Sequence, residues 1–225
     1  MKTQGLYFVI VSLCFIFIKV SAQQSDKQVK IDAIPHEISW VNSPSGWEAT
    51  GNTFIVTGGK GSRLFVDPIL KNNVNTAPMA LFTPADNFLF SCKLKVGFDA
   101  VFDAGVLMVY GNADQWAKLC FEYSPQLKPM VVSVVNNQLS DDSNHDIIDG
   151  NEVYLRIAGL GNGVYAFHYS TDGNYWNMVR YFYLNPDYDL RVGFLSQSPR
   201  GEACSTVFSE IKYIPEKLED LRSGK

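Results

Sequence analysis

Between residues 88 and 96 the chain alternates. Phe88, Phe90, Cys92, Leu94 and Val96 form one set, and Leu89, Ser91, Lys93 and Lys95 form the other. Successive side chains of a β-strand point to opposite faces, so this pattern buries one face and wets most of the other. Ten further segments are predicted strands: 53–57, 79–82, 104–110, 116–123, 130–136, 152–159, 163–170, 176–183, 190–196 and 206–214. No stretch repeats apolar residues at helical spacing. Many short strands at even spacing, with no helices between them, predict an all-β, antiparallel β-sandwich. Two tight hairpins are expected, at Leu160-Gly161-Asn162-Gly163 and around Asp172-Gly173, because glycine and asparagine tolerate the positive φ such turns need.

The first residues break the alternation. Lys2 is followed by an apolar run from Leu6 to Ile18, and Val20-Ser21-Ala22 ends in small residues. That order is expected of a signal peptide over residues 1–22, and it predicts an exported protein, periplasmic or extracellular. The run is shorter than the ~20 residues of a spanning helix and Lys19 interrupts it, so no membrane association is expected after cleavage. Residues 23–35 are polar and read as a flexible leader, 36–214 as one sandwich domain, and 215–225 as a tail that frays or makes one turn.

Cleavage would remove two lysines and no acid, leaving 17 Lys and Arg against 23 Asp and Glu, a net charge of −6. Such a chain is repelled by nucleic acid and anionic membranes, so neither is an expected partner. Cys92, Cys120 and Cys204 would remain, an odd number that cannot all pair within the chain. Cys92 lies at an apolar strand position and reads as core. Without a C-x-x-C pair, and with His36, His145 and His168 scattered, no metal site is predicted.

Several segments taken together resemble a known family. They are Phe102-Asp103-Ala104-Gly105-Val106-Leu107-Met108, Trp116-Ala117-Lys118-Leu119-Cys120-Phe121-Glu122, residues 131–136 with Ser140-Asp141-Asp142-Ser143, Val153-Tyr154-Leu155-Arg156, Tyr169-Ser170-Thr171-Asp172-Gly173, and Val192-Gly193-Phe194 with Ser198-Pro199. In order and spacing they are similar to the domain of unknown function 1349, a group related to the regulation-of-enolase proteins. The resemblance runs over roughly residues 36–214. It implies a concanavalin A-like jelly roll, the sandwich of lectins and some glucanases, and it implies no assured catalytic residue, since fold does not fix function.

The segment 116–123 carries the candidate chemistry. Ala117, Leu119, Phe121 and Tyr123 read as core, which leaves Trp116, Lys118, Cys120 and Glu122 on the other face at about 6.6 Å intervals. An aromatic plane beside a cation and a carboxylate suits a sugar, whose C–H face stacks and whose hydroxyls need polar partners. Treating 111–114 as the turn places Tyr110 opposite Gln115 and Asp103 opposite Glu122, with β-carbons roughly 5 Å apart. The register slipped by one residue would push the Asp103 carboxylate into the core, so the first is preferred. Phe102, Ala104, Val106 and Met108 then point to the core. Parity also leaves Arg156 and His168 on the polar side of their strands, and Asn136 at a strand end. The expected ligand surface is one concave face bearing Asp103, Trp116, Lys118, Glu122, Asn136, Arg156 and His168. A solvated, ion-paired face would produce the same alternation. Residues 136–150, with Asp141, Asp142, Asn144, Asp146 and Asp149, read as an acidic loop that is either simply solvated or a calcium site; no glutamate closes an EF-hand at its twelfth position. No other cofactor is expected.

Three functions fit: carbohydrate binding on that face; glycoside hydrolysis with Asp103 and Glu122 as the carboxyl pair; or a structural, protein-interaction role without a small ligand. Hydrolysis needs carboxyls ~5–5.5 Å apart for retention or ~6.5–9.5 Å for inversion. The Glu-x-Asp-x-Glu strand motif of glucanases with this fold is absent, as are phosphate-binding glycine loops and a Gly-x-Ser-x-Gly elbow.

Overall fold

The computed structural model describes residues 28–225; the expected signal peptide lies outside the described residues. Sixteen strands follow one another: β1 Ser39–Val41, β2 Gly46–Thr50, β3 Thr53–Gly59, β4 Leu64–Val66, β5 Asn73–Asn75, β6 Met79–Phe82, β7 Asn87–Val96, β8 Ala104–Asn112, β9 Gln115–Tyr123, β10 Pro129–Asn137, β11 Leu139–Ile147, β12 Glu152–Leu160, β13 Val164–Ser170, β14 Asn177–Tyr183, β15 Arg191–Gln197 and β16 Ala203–Ile214. They build two seven-stranded antiparallel sheets, β1-β6-β15-β8-β9-β10-β11 and β14-β13-β12-β7-β16-β3-β2. The fold is the expected all-β sandwich. A small hairpin, β4–β5, stands apart from both sheets.

The two inner faces share one aromatic core. Phe54, Phe90 and Phe208 of the second sheet meet Phe194 of the first, at ring-centroid distances of 4.9–5.3 Å. These are edge-to-face contacts that satisfy ring quadrupoles as well as burying area. Both anticipated hairpins form: Gly161, Asn162 and Gly163 all have positive φ between β12 and β13, and Gly173 does so between β13 and β14.

The first sheet differs from expectation in having two buried faces. Ala104, Val106, Met108 and Tyr110 of β8, with Trp116 and Cys120 of β9, turn away from the sandwich core into a second apolar cluster. The segment holding β4 and β5 covers it, inserting Leu64, Val66 and Ala77. Central strand β8 is thus apolar on both sides, and side-chain period alone cannot say which of its sides is inner.

Two other expectations are corrected. The leader is not polar slack over its described part: Val29 bridges Ile38, and Val29, Ile31 and Ile34 are core residues. The acidic segment 136–150 is mostly strand: β11 pairs with β10 as the edge of the first sheet. Its side chains are largely exposed, so no hydrophobic alternation marks it. The tail makes one turn at residues 221–224, one of the two expected outcomes, and folds back onto the outer face of the second sheet, where Leu218 and Leu221 pack with Ala158 and Ala166.

Candidate functional site

The face of β9 bearing Trp116, Lys118, Cys120 and Glu122 is as predicted, with Ala117, Leu119 and Phe121 in the sandwich core. Its neighbour is registered differently. Ala104 sits opposite Glu122, Met108 opposite Lys118 and Tyr110 opposite Trp116, with a bulge between Tyr110 and Asn112. This is the register the sequence reading rejected. The bulge takes up one residue at the turn, so every β8 side chain changes face relative to expectation.

Asp103 therefore does not face Glu122. Its side chain is fully buried, yet its oxygens are satisfied: Oδ1 accepts from the Ser198 hydroxyl at 2.8 Å, and Oδ2 from the backbone N–H groups of Ala100 at 2.9 Å and Asp99 at 3.1 Å. Three donors remove the penalty that argued against burial. Asp103 is a structural clamp, not half of a catalytic pair. It closes the turn ahead of β8 and holds Phe102 at φ 71°, an uncommon left-handed conformation for a bulky residue.

Above β9 lies a pocket of about 270 Å³ between the sheet, the β4–β5 segment and the loop after β15. Arg63, Phe65 and Asp67 come from the covering segment, Lys118 and Glu122 from β9, Asp142 from β11, and Phe102, Gln197 and Arg200 from the end of the sandwich. Lys118 is nearly buried. Its ammonium donates to the Leu64 carbonyl at 2.6 Å and to Gln197 Oε1 at 3.4 Å, and lies 5.4 Å from the centre of the Trp116 ring. Gln197 in turn donates to the Phe102 carbonyl at 3.1 Å. The chain of bonds ties the covering segment to the pocket wall.

Burial pushes the Glu122 carboxyl up to about 7; Lys118 opposes that shift and Asp142 adds to it. Asp142 is raised for the same leading reason, against Lys118 and Arg180. Two carboxyls thus share one cation, and the more enclosed one titrates near neutrality.

The remaining predicted ligand residues do not line this pocket. Trp116 is fully buried and donates its indole N–H to Ala113 at 3.2 Å, so it supports Lys118 from below and offers no sugar platform. Asn136 is also buried, donating to the Asp114 carbonyl and accepting from Ser140, which fastens the β10–β11 turn. Arg156 and His168 face each other across β12 and β13 in the second sheet. Their side chains meet the tail on its outer face, so the single surface expected for all seven residues does not exist. Parity correctly placed them opposite Ile157 and Phe167 but could not assign the sheet.

Sequence reasoning missed Arg63, Phe65, Phe102, Asp142, Gln197 and Arg200. Only Asp142 carried a signal, as one of the acids of the segment read as a solvated loop or a calcium site. Those acids diverge: Asp141 pairs with Arg180 at 2.7 Å, Asp146 accepts from the Tyr169 hydroxyl at 2.7 Å, and Asp142 enters the pocket. Among the described residues, no group of three or more His, Cys, Asp or Glu could hold a metal ion.

An antiparallel jelly-roll sandwich with a pocket of mixed charged and apolar lining over the outer face of one sheet defines the structural class. Residues 40–216 match the family described as Protein of unknown function (DUF1349), and the chain belongs to that family. No curated protein matches the sequence. Among solved structures, a functionally unknown protein from Saccharomyces cerevisiae is similar at a TM-score of 0.73 and 20% identity, over 80% of this chain and 97% of that one. The GH43 protein BlXynB from Bacillus licheniformis is similar at 0.58 and 12%, over 74% of this chain and 34% of its own. GH43B of the Bacteroides ovatus xyloglucan PUL is similar at 0.62 and 12%, over 82% and 38%. The chain thus spans about a third of each GH43 protein, and these likenesses concern the fold.

Proposed function

We propose that this is an exported carbohydrate-binding protein that takes a terminal sugar unit in the pocket beneath the β4–β5 segment. One observation carries the reading: Lys118, Glu122, Asp142, Arg63 and Arg200 converge with the rings of Phe65 and Phe102 in one enclosure of about 270 Å³. Fixed donors and acceptors beside aromatic faces match the two halves of a sugar's surface. The volume lies at the small end for ligand pockets, which suits a chain end better than a long polymer run. Occurrence of the same sandwich within GH43 proteins fits a glycan context. Titration calorimetry with a panel of mono- and disaccharides tests the reading: binding that is lost in Lys118→Met and Arg63→Ala supports it. Absence of binding across the panel refutes it and favours a protein-interaction role. Export rests on the leader pattern; a mature chain beginning at Gln23 in the periplasm or medium is the expected result.

A second reading is favoured by the Glu122 carboxyl at about 7, a value suited to a general acid at neutral pH. Glu122 would protonate a glycosidic oxygen while Asp142, not Asp103, supplied the second carboxylate. Activity on aryl glycosides, abolished in Glu122→Gln and Asp142→Asn, would establish it. Full activity in Glu122→Gln would remove Glu122 from the chemistry.

A further inference from the structure

The outer face of the second sheet holds an arrangement the pocket does not use. Arg156 is nearly buried, and among the described residues no carboxylate pairs with it. Its guanidinium stacks over the Trp176 ring at 4.2 Å and donates one bond, at 2.8 Å, to the Gly224 carbonyl, while its Nε has no partner. Beside it, fully buried His168 bonds to the Leu221 carbonyl at 2.9 Å. A carbonyl can only accept, so His168 Nε2 carries the hydrogen, and Nδ1 is left without a donor. A buried cation without a counter-charge, with its own Nε and the neighbouring His168 Nδ1 both unsatisfied, is an unfavourable arrangement unless something else occupies the place at times.

What occupies it now is the tail. Gly224 has φ 72° and is wedged among Arg156, His168 and Trp176; a β-carbon there would lie 2.7 Å from Trp176 Cβ and collide with the guanidinium. The tail offers that site only backbone carbonyls. It is otherwise held by Leu218 and Leu221 on a small apolar patch, and all but its first two residues lie beyond the segment matching the family. Both sheets are complete by Ile214. Ordering this segment against so few contacts is weakly favoured, because its conformational entropy opposes docking.

We propose that the C-terminal segment is a reversible cover over a carboxylate-binding site formed by Arg156, His168 and Trp176, and that Gly224 stands in for the carboxylate when the site is closed. A planar guanidinium matches a carboxylate with two parallel bonds, using the Nε that the carbonyl leaves idle. The site lies on the other sheet from the sugar pocket and stands or falls independently of it.

Two variants test it: the full chain with Gly224→Val, which expels the tail by steric conflict, and the chain ending at Ile214. Acetate and glucuronate are the probes, with glucose as the neutral control, and binding is followed by calorimetry and by the His168 ring resonances. Both variants are expected to keep the sandwich, to bind the carboxylates at least tenfold more tightly than the unmodified chain, and to lose that gain in Arg156→Gln. Acetate binding as well as glucuronate marks a general carboxylate site; preference for glucuronate marks an acidic-sugar site. Carboxylate affinity unchanged in Gly224→Val, or a sandwich that unfolds in both variants, would overturn the proposal and make the tail a structural clamp.

Discussion

Replacing Glu122 by glutamine is expected to stabilise the protein above neutral pH and to leave it unchanged in acid. The carboxyl titrates at about 7 in the folded chain against 4.5 ordinarily, because burial disfavours its charged form. A folded value above the unfolded one means that folding is favoured while the group is protonated. That contribution is whole below 4.5 and is lost as pH rises through 7. The displacement corresponds to roughly 3 kcal/mol at most, since each pH unit is worth about 1.4 kcal/mol. Glutamine keeps the shape and cannot ionise. The stability difference, variant minus parent, should be near zero at pH 4.5 and grow to between about 1 and 3 kcal/mol at pH 8. For a domain of this size, that is roughly 2–12 °C in melting temperature. Urea unfolding and calorimetry at pH 4.5, 6, 7 and 8 measure it; titrating groups remote from Glu122 cancel in the comparison, while Asp142, which is coupled to it, does not. A gap that does not change with pH, or a parent more stable than the variant at pH 8, would refute a Glu122 whose charge is disfavoured by burial beyond what Lys118 offsets.

Asp103→Ala strands two backbone N–H groups and the Ser198 hydroxyl, costing about 3 kcal/mol or more, so its melting temperature should fall by about 6–12 °C by calorimetry. Lys118→Met removes the bond to Leu64 and the cation that lowers both Glu122 and Asp142, so the midpoints of both carboxyls, followed by NMR, should rise. His168 is held down to about 4 by burial, against an ordinary 6.5, so its ring should stay neutral at pH 5 in the intact chain. The stability this neutral ring contributes is whole above 6.5 and fades as pH falls through 4. Gly193→Ala would drive a β-carbon into the Ala80 carbonyl between paired central strands; little soluble folded protein is expected on expression.

Strand content was legible wherever one face is buried and the other is not. β7 shows this most plainly, with its buried Phe88, Phe90, Cys92, Leu94 and Val96 alternating with less buried positions. So was the parity of β9, because Lys118 and Glu122 mark one side and Leu119 and Phe121 the other. Edge strand β11 was hidden by its own exposure, since a polar strand and a polar loop have the same composition. Asp103 misled for a related reason: a carboxylate is costly in a core only when it lacks donors, and its donors, Ser198 and the Asp99 and Ala100 amides, come together only once the turn and the loop after β15 have folded.

The all-β class, most of the strands, two turns and the side chains of β9 that share a face follow from residue order, because these depend on backbone period and local steric preference. The β8–β9 register, the sheet that carries Arg156 and His168, and the residues that meet in the pocket emerge only from the assembled fold. Those outcomes depend on a bulge, on strand order and on a covering segment from elsewhere in the chain, and no local pattern of residues encodes distances between strands that are remote in sequence.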